Sequence, residues 1–285
     1  PLRQAWLSRA YGLGQMARKD AGQAAVLLPY LTDEDVEIRA QVLKLLGDIR
    51  YAAAGDEMIP YLKDASARVR FFAAEALGRI AHKPAQQAVI DMLIANNEED
   101  VYLRHAGALA LSRFGDAAGL TALSKHPSKA LRIAAVVALR KMRDPGLAQF
   151  LQDGDEFVVT EAARAINDDL SVEAALPALA EVLGHTKFQN QPLIRRAINA
   201  ALRTGTDQSL ALLVAYAGRK DVPEALRVEA IAALGVWAKP SVLDRVDGRL
   251  RGPVTRDPAA VRKAVQPVIS AWLSDAKPAV KVAAA

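Results

Sequence analysis

Apolar and polar positions along the chain fall into a repeating pattern. An arginine recurs at Arg39, Arg70, Arg104, Arg132, Arg195, Arg227 and Arg262, with Val159 in the fifth place, at spacings of 27 to 36 residues. The preceding residue is aliphatic each time, from Ile38 and Val69 through Leu226 and Val261. The residue seven later is Leu or Ile in every unit, and the residue six later is small or aliphatic. Offsets of −1, +3, +6, +7 and +10 share one face of a 3.6-residue helix, so each unit predicts an amphipathic helix with one buried stripe. Asp35, Ser66, Asp100, Ser128 and Asp155 stand four residues before the marker position. There a side-chain oxygen can accept from the orphan amides of the first turn. Pro223 and Pro258 take the same place in later units, where a missing N–H costs little.

A second, shorter helical pattern lies between these helices, as in Met58–Leu62, Ala88–Leu93 and Leu176–Leu183. Each unit therefore reads as helix, turn, helix. One such unit cannot hide its apolar stripe alone, but stacked neighbours can. Small residues at Ala73, Ala74, Ala76 and Gly78 allow close helix approach. No alternation of strand type is sustained. The predicted fold is all-α: a right-handed superhelical stack of about eight short helix pairs, running as one repeat array over residues 1–285. Two stretches break the period, His185–Pro192 and Lys239–Pro258. Insertions in repeat arrays tend to gather on one face, often the binding face.

The string Val69-Arg70-Phe71-Phe72-Ala73-Ala74-Glu75-Ala76-Leu77-Gly78 resembles the second helix of short HEAT-like repeats of the phycobilin-lyase type, an α-solenoid family. A narrower resemblance rests on Asp100–Gly107, Glu161–Asp168 and Trp237–Ser241. These are similar to the HEAT-like region of bacterial proteins that join a propeller dehydrogenase to a c-type cytochrome. The resemblance implies a module of a larger protein in a periplasmic or extracellular setting. Redox activity does not transfer with it, because Cys-x-x-Cys-His and propeller strands are missing from these residues.

Composition narrows the chemistry. Alanine fills 57 of 285 positions and cysteine none, which favours helices and excludes a disulfide framework, a thiolate metal site and a cysteine nucleophile within the sequence. No apolar run approaches the roughly 18 residues of a membrane span. The net charge of +5 arises entirely in residues 236–285, which hold nine basic and four acidic side chains. The densest cluster there, Asp244–Arg251, offers Arg245, Arg249 and Arg251 as a docking loop for an adjacent module or an acidic partner. His82, His105, His126 and His185 form no ligand-spaced pair, so no metal is expected. No nucleophile elbow, phosphate loop or dinucleotide fingerprint occurs, so neither catalysis nor a cofactor is expected.

Positions +1, +5 and +9 from the marker arginine lie opposite the buried stripe and are expected to line the concave side. In the middle units they supply Phe71, Arg79, His105, Leu109, Arg113, Ile133, Val137 and Lys141. Apolar groups rimmed by cations suit a protein surface of acidic character. The expected function is thus a non-catalytic scaffold that binds a protein partner, or a spacer between modules of one chain. Nucleic acid, as bound by HEAT-like DNA glycosylases, is disfavoured because Asp48, Glu75 and Asp168 interrupt the basic row. A bilin-lyase-like attachment subunit is a further alternative.

Overall fold

The computed structural model describes residues 21–185 and 187–285, together with Gln4, Ser8, Tyr11, Gly12, Gly14 and Gln15. Its elements are helical throughout the described residues, apart from an isolated antiparallel bridge between Leu243 and Leu250. The architecture is that of an all-α, HEAT-like α-solenoid. By packing, the chain divides into two compact units, Pro1–Met142 and Arg143–Ala285.

In unit 1 the marker-bearing helices are α1 (Val36–Asp48), α3 (Ala67–Arg79), α5 (Val101–Phe114) and α7 (Lys129–Met142). They stack in order, α1 on α3, α3 on α5 and α5 on α7. The alternating positions hold shorter elements. These are a 3-10 stretch (Ala21–Thr32), α2 (Gly55–Met58) with the 3-10 stretch Ile59–Lys63, α4 (Gln86–Asn96) and α6 (Ala117–Ala122). Contact along the stack is close because glycine stands eight residues after the marker. A Cβ on Gly47 would meet the Cα of Ala76 at 2.7 Å, and one on Gly78 would meet the Cα of Ala110 at 2.8 Å.

In unit 2 the marker-bearing helices are α8 (Glu156–Asn167), α10 (Gln191–Thr204) and α12 (Glu224–Gly235). The alternating elements are the 3-10 stretch Pro145–Gln152, α9 (Leu176–His185) and α11 (Asp207–Gly218). The chain closes with α13 (Pro258–Val265), α14 (Ile269–Leu273) and α15 (Pro278–Ala284).

The last unit corrects the register read from the sequence. The helix that carries Arg262 packs on α11, in the alternating row, whereas α15 packs on α12. The eighth marker position is therefore Lys281. Val261 and Val280 both satisfy the aliphatic rule, but Val280 is the one fully buried. A local signature marks the true start. Asp33, Asp64, Asp153 and Asp275 each stand three residues before a helix and accept the amide two residues on, at 2.8 to 2.9 Å. His126 does the same through Nδ1.

The marker arginine ties down the turn that precedes its own helix. Arg39 donates to the carbonyls of Asp33 and Glu34, Arg70 to those of Asp64 and Ala65, and Arg132 to those of His126 and Pro127. Arg104 reaches the Glu98 carboxylate instead. Pairing with the next turn occurs at Arg39–Asp64 (3.1 Å) and at the buried Arg227–Asp275 pair (2.7 Å). Caps form at Asp35, Asp100 and Asp155, and Ser128 accepts from Leu131. Ser66 has the cap backbone but makes no side-chain cap bond.

Candidate functional site

Unit 1 presents an open helix face. Its first part is an aromatic recess of about 320 Å³ lined by Ala67, Arg68, Phe71, Phe72, Asp100 and Tyr102. Phe71 and Phe72 meet edge to face at 5.1 Å, and the Arg68 guanidinium lies 5.1 Å over the Phe72 ring. Arg68 is held there by Glu37, with Nε and Nη2 donating at 2.8 and 2.9 Å. Asp100 is fixed because it caps α5. Tyr102 is 72% exposed.

The same face continues toward the helix C-termini. Phe71, Leu109 and Val137 are half-buried, while His105, Arg113 and Lys141 are exposed. Ile133, expected on this surface, is only 3% exposed; it packs beneath the face rather than presenting a side chain. Arg79 is neutralised where it stands, by Asp48 and at 3.5 Å by Glu75. Lys44 adds a 2.6 Å bond to Asp48. Arg113 and Lys141 make no hydrogen bond or ion pair among the described residues. Partial burial, then the like charges of Arg79 and Arg50, hold the Arg113 guanidinium below its usual value, against the pull of Glu75. It stays cationic, but a carboxylate would be welcome beside it.

Sequence reasoning found Phe71, His105, Leu109, Arg113, Val137 and Lys141 but missed Tyr102, Arg68 and Phe72. The signal was available for two of these. A residue two before the marker arginine, such as Arg68 or Tyr102, turns to the same side of a helix as positions +1 and +5. Phe72 lies nearer the stripe, and only packing shows that its ring floors the recess.

Unit 2 uses its corresponding surface internally. The connection between α12 and α13 folds into a small hairpin, with Asp244 N–H donating to the Arg249 carbonyl and Arg251 N–H to that of Val242, both at 2.8 Å. It lies against Arg195, Asn199 and Arg203, which follow one another at four-residue steps on α10. The Asp244 carboxylate, with no exposed side-chain surface, sits among Asn199 (2.9 Å), Arg251 (3.0 Å) and Arg203 (3.5 Å). Burial pushes this carboxyl upward, but bonds from Val246 N–H, Asn199, Asp247 N–H and Arg251 outweigh it, and the net shift is downward.

The expected docking arginines are consumed by this arrangement. Arg251 reaches Asp244, Asp247 and the carbonyls of Asn167 and Asp169. Arg249 pairs with Asp169 at 2.8 Å and Arg245 with Glu229 at 3.2 Å. The cluster that seemed aimed at a partner instead holds the insertion to its own unit, because each cation finds a carboxylate or carbonyl within reach. The same contacts explain Asp168-Asp169, which ends α8 against the helix dipole. Arg196 binds Asp168 bidentately at 2.9 and 2.6 Å, and Arg249 takes Asp169. A cleft of about 230 Å³ beside the hairpin is lined by Arg203, Arg245, Arg251 and Arg256 as well as Glu173 and Asp244. Arg256 there caps the C-terminus of α10, donating to Leu202 O at 2.7 Å, and stacks 4.8 Å from Trp237.

Among the described residues no three His, Asp or Glu side chains gather as a metal site. His82 binds Asp56 at 2.8 Å, and His126 serves the turn before α7. No helix of the described residues is long and apolar enough to cross a membrane.

The fold is that of a helical-repeat scaffold. A family model for HEAT repeats matches residues 24–112, all within unit 1. Among solved structures, the archaeal HEAT-like repeats protein of Thermococcus onnurineus NA1 is 16% identical, over 80% of this chain and 92% of that one, with a TM-score of 0.42. The CpcE–CpcF complex of phycocyanin lyase from Nostoc sp. PCC7120 is 22% identical, over 74% and 86%, with a TM-score of 0.38. Human deoxyhypusine hydroxylase is 18% identical, over 96% of each chain, with a TM-score of 0.34. No curated protein matches the chain in sequence.

Proposed function

We propose that this protein is a non-catalytic protein-binding scaffold whose working surface is the exposed face of α3, α5 and α7. The observation that carries the reading is the state of its charges. In unit 2 the basic side chains beside α10 each pair with the chain's own carboxylates or carbonyls, although Nε of Arg195 and of Arg245 makes no hydrogen bond. In unit 1 Arg113 and Lys141 stand free next to half-buried Phe71, Leu109 and Val137. Apolar groups rimmed by unsaturated cations are the makings of an interface, and solenoids commonly bind along such extended surfaces. A photo-crosslinking residue at Leu109 should capture a protein in the native source, while one at Leu250 on the hairpin should not. Equal capture at both positions would remove the face.

The setting we propose is a module within or beside an extracytoplasmic redox protein. Its support is the resemblance carried by Asp100–Gly107, Glu161–Asp168 and Trp237–Ser241. The intact mass and haem absorbance of the native polypeptide test it. A haem-bearing chain well above 30.5 kDa is the expected result. A haem-free chain of that mass would make it a separate subunit, remove the placement within a redox chain and leave the scaffold reading standing.

A further inference from the structure

We infer that the partner of the unit 1 face is an extended acidic protein segment, anchored by an apolar side chain in the aromatic recess and by carboxylates at Arg113 and Lys141. The inference rests on the scaffold reading and adds the chemistry of the occupant.

Three observations carry it. The recess formed by Phe71, Phe72 and Tyr102 is open and apolar at its floor, and Arg68, already paired with Glu37, adds no free charge to it. The free charge lies at the other end of the same face and is all of one sign. The Asp48 and Glu75 carboxylates of this face are engaged by Arg79 and Lys44. Thirdly, the chain itself shows how a helix row of this kind takes an irregular segment. The unit 2 hairpin presents the Asp244 carboxylate to Asn199 and Arg203 on α10. Its hydrogen bonds keep that carboxylate ionised in spite of burial.

The face also sets a spacing. Tyr102 of the recess and Arg113 are eleven residues apart on α5, which is about 16 Å at the helical rise. An extended strand covers that distance in about five residues. The matching segment therefore carries a large apolar residue with acidic residues about five positions away. A nucleic acid strand could stack a base in the recess but would bring its phosphates past Asp100, which lines that recess.

Selection from a random dodecapeptide phage library on the immobilised full-length protein tests this directly. The expected consensus is Phe, Tyr, Leu or Met, with Asp or Glu about five positions away. A synthetic consensus peptide should bind in a salt-dependent way and lose at least tenfold in affinity on Arg113→Glu with Lys141→Glu, and on Tyr102→Ala. The milder Arg113→Gln with Lys141→Gln should show the same direction with unchanged thermal unfolding, so that misfolding is not mistaken for lost binding. Binders that carry no acidic residue, or that ignore both charge changes while still requiring Leu109, would overturn the inference and spare the scaffold reading. Failure to enrich any peptide that depends on this face would overturn both.

Discussion

The two units are built from the same repeat and treat the same part of it differently. Eight residues after the marker, unit 1 begins with Gly47 and Gly78 before Ser112 and Arg140, and unit 2 begins with Asn167 and Arg203 before Gly235. At Gly47 and Gly78, adjacent helices come together backbone to backbone, and that row has no polar group to satisfy. With Asn167 and Arg203 the row becomes polar and must be satisfied. Asn167 accepts from Asn199 at 2.9 Å, and Asn199 and Arg203 in turn face Asp244 of the hairpin. At these four helices that register position marks the difference between backbone contact, at Gly47 and Gly78, and a polar row that takes up the insertion, at Asn167 and Arg203. Ala200 of α10 is fully buried, while Leu109 and Val137 at the same register in unit 1 are only half-buried. The first unit is left with a surface to offer.

The sharpest way to break this comparison is Asp244→Ala. It leaves Arg203, Arg251 and Asn199 facing a site without its anion, and removing one partner of a buried pair costs about 3–5 kcal/mol. Chemical denaturation should show that loss, with hairpin amides exchanging faster than those of α3 and α5. A stability unchanged within error would mean that the hairpin merely rests on unit 2. Next in size is Gly78→Val, which forces a branched side chain against the Ala110 backbone. Overpacking of this kind costs about 1–3 kcal/mol, and the loss should appear in the unfolding midpoint with no change in hairpin exchange.

Acid separates the units by another route. The Arg227 hydrogen bond, then that from the Lys277 amide, holds the Asp275 carboxyl down to about 2 from an ordinary 3.8. The folded-state value is depressed, so the stabilisation is present above about pH 4 and is lost as the pH falls toward 2. Amides of α12 and α15 should lose protection in that window, and Asp275→Asn should flatten the dependence. Base acts on the same unit. Burial pushes the Tyr216 hydroxyl up to about 12, so unit 2 should weaken between about pH 10 and 12, less so in Tyr216→Phe.

The smallest effects are expected at the open face and its neighbouring cap. Ser66→Asp should supply the cap bond that Asp35 and Asp155 already make beside Asp33 and Asp153. The gain should be about 0.5–1 kcal/mol, read from the thermal midpoint. Arg113→Glu should move stability by no more than about 0.5 kcal/mol, as for an unpaired surface charge. A larger loss would show that Arg113 belongs to the structure and not to a surface held ready.

Much of this was readable in advance, and the reasons differ by residue. Ile38, Leu46, Val69 and Leu77 declared themselves because burial in a helix recurs with a period, and a period survives in one dimension. Asp35, Asp100 and Asp155 were equally plain, since a cap acts on amides two or three residues away. Arg262 misled because Val261 satisfies the same local rule as Val280, and only packing on α12 distinguishes them. Arg245, Arg249 and Arg251 misled for a deeper reason. A run of charge reads the same whether its partners are solvent, another protein or Asp169 some eighty residues back in the chain.

The helices, their buried stripes, their caps and the all-α class follow from interactions within about one turn, and the residue order alone contains them. Which charges are spent and which remain free depends on contacts between residues distant in the chain. Arg251 became structural and Arg113 stayed available because the folded hairpin sets one against the carbonyls of Asn167 and Asp169, and no described carboxylate pairs with the other. That assignment of charge to partner exists only once the chain has folded.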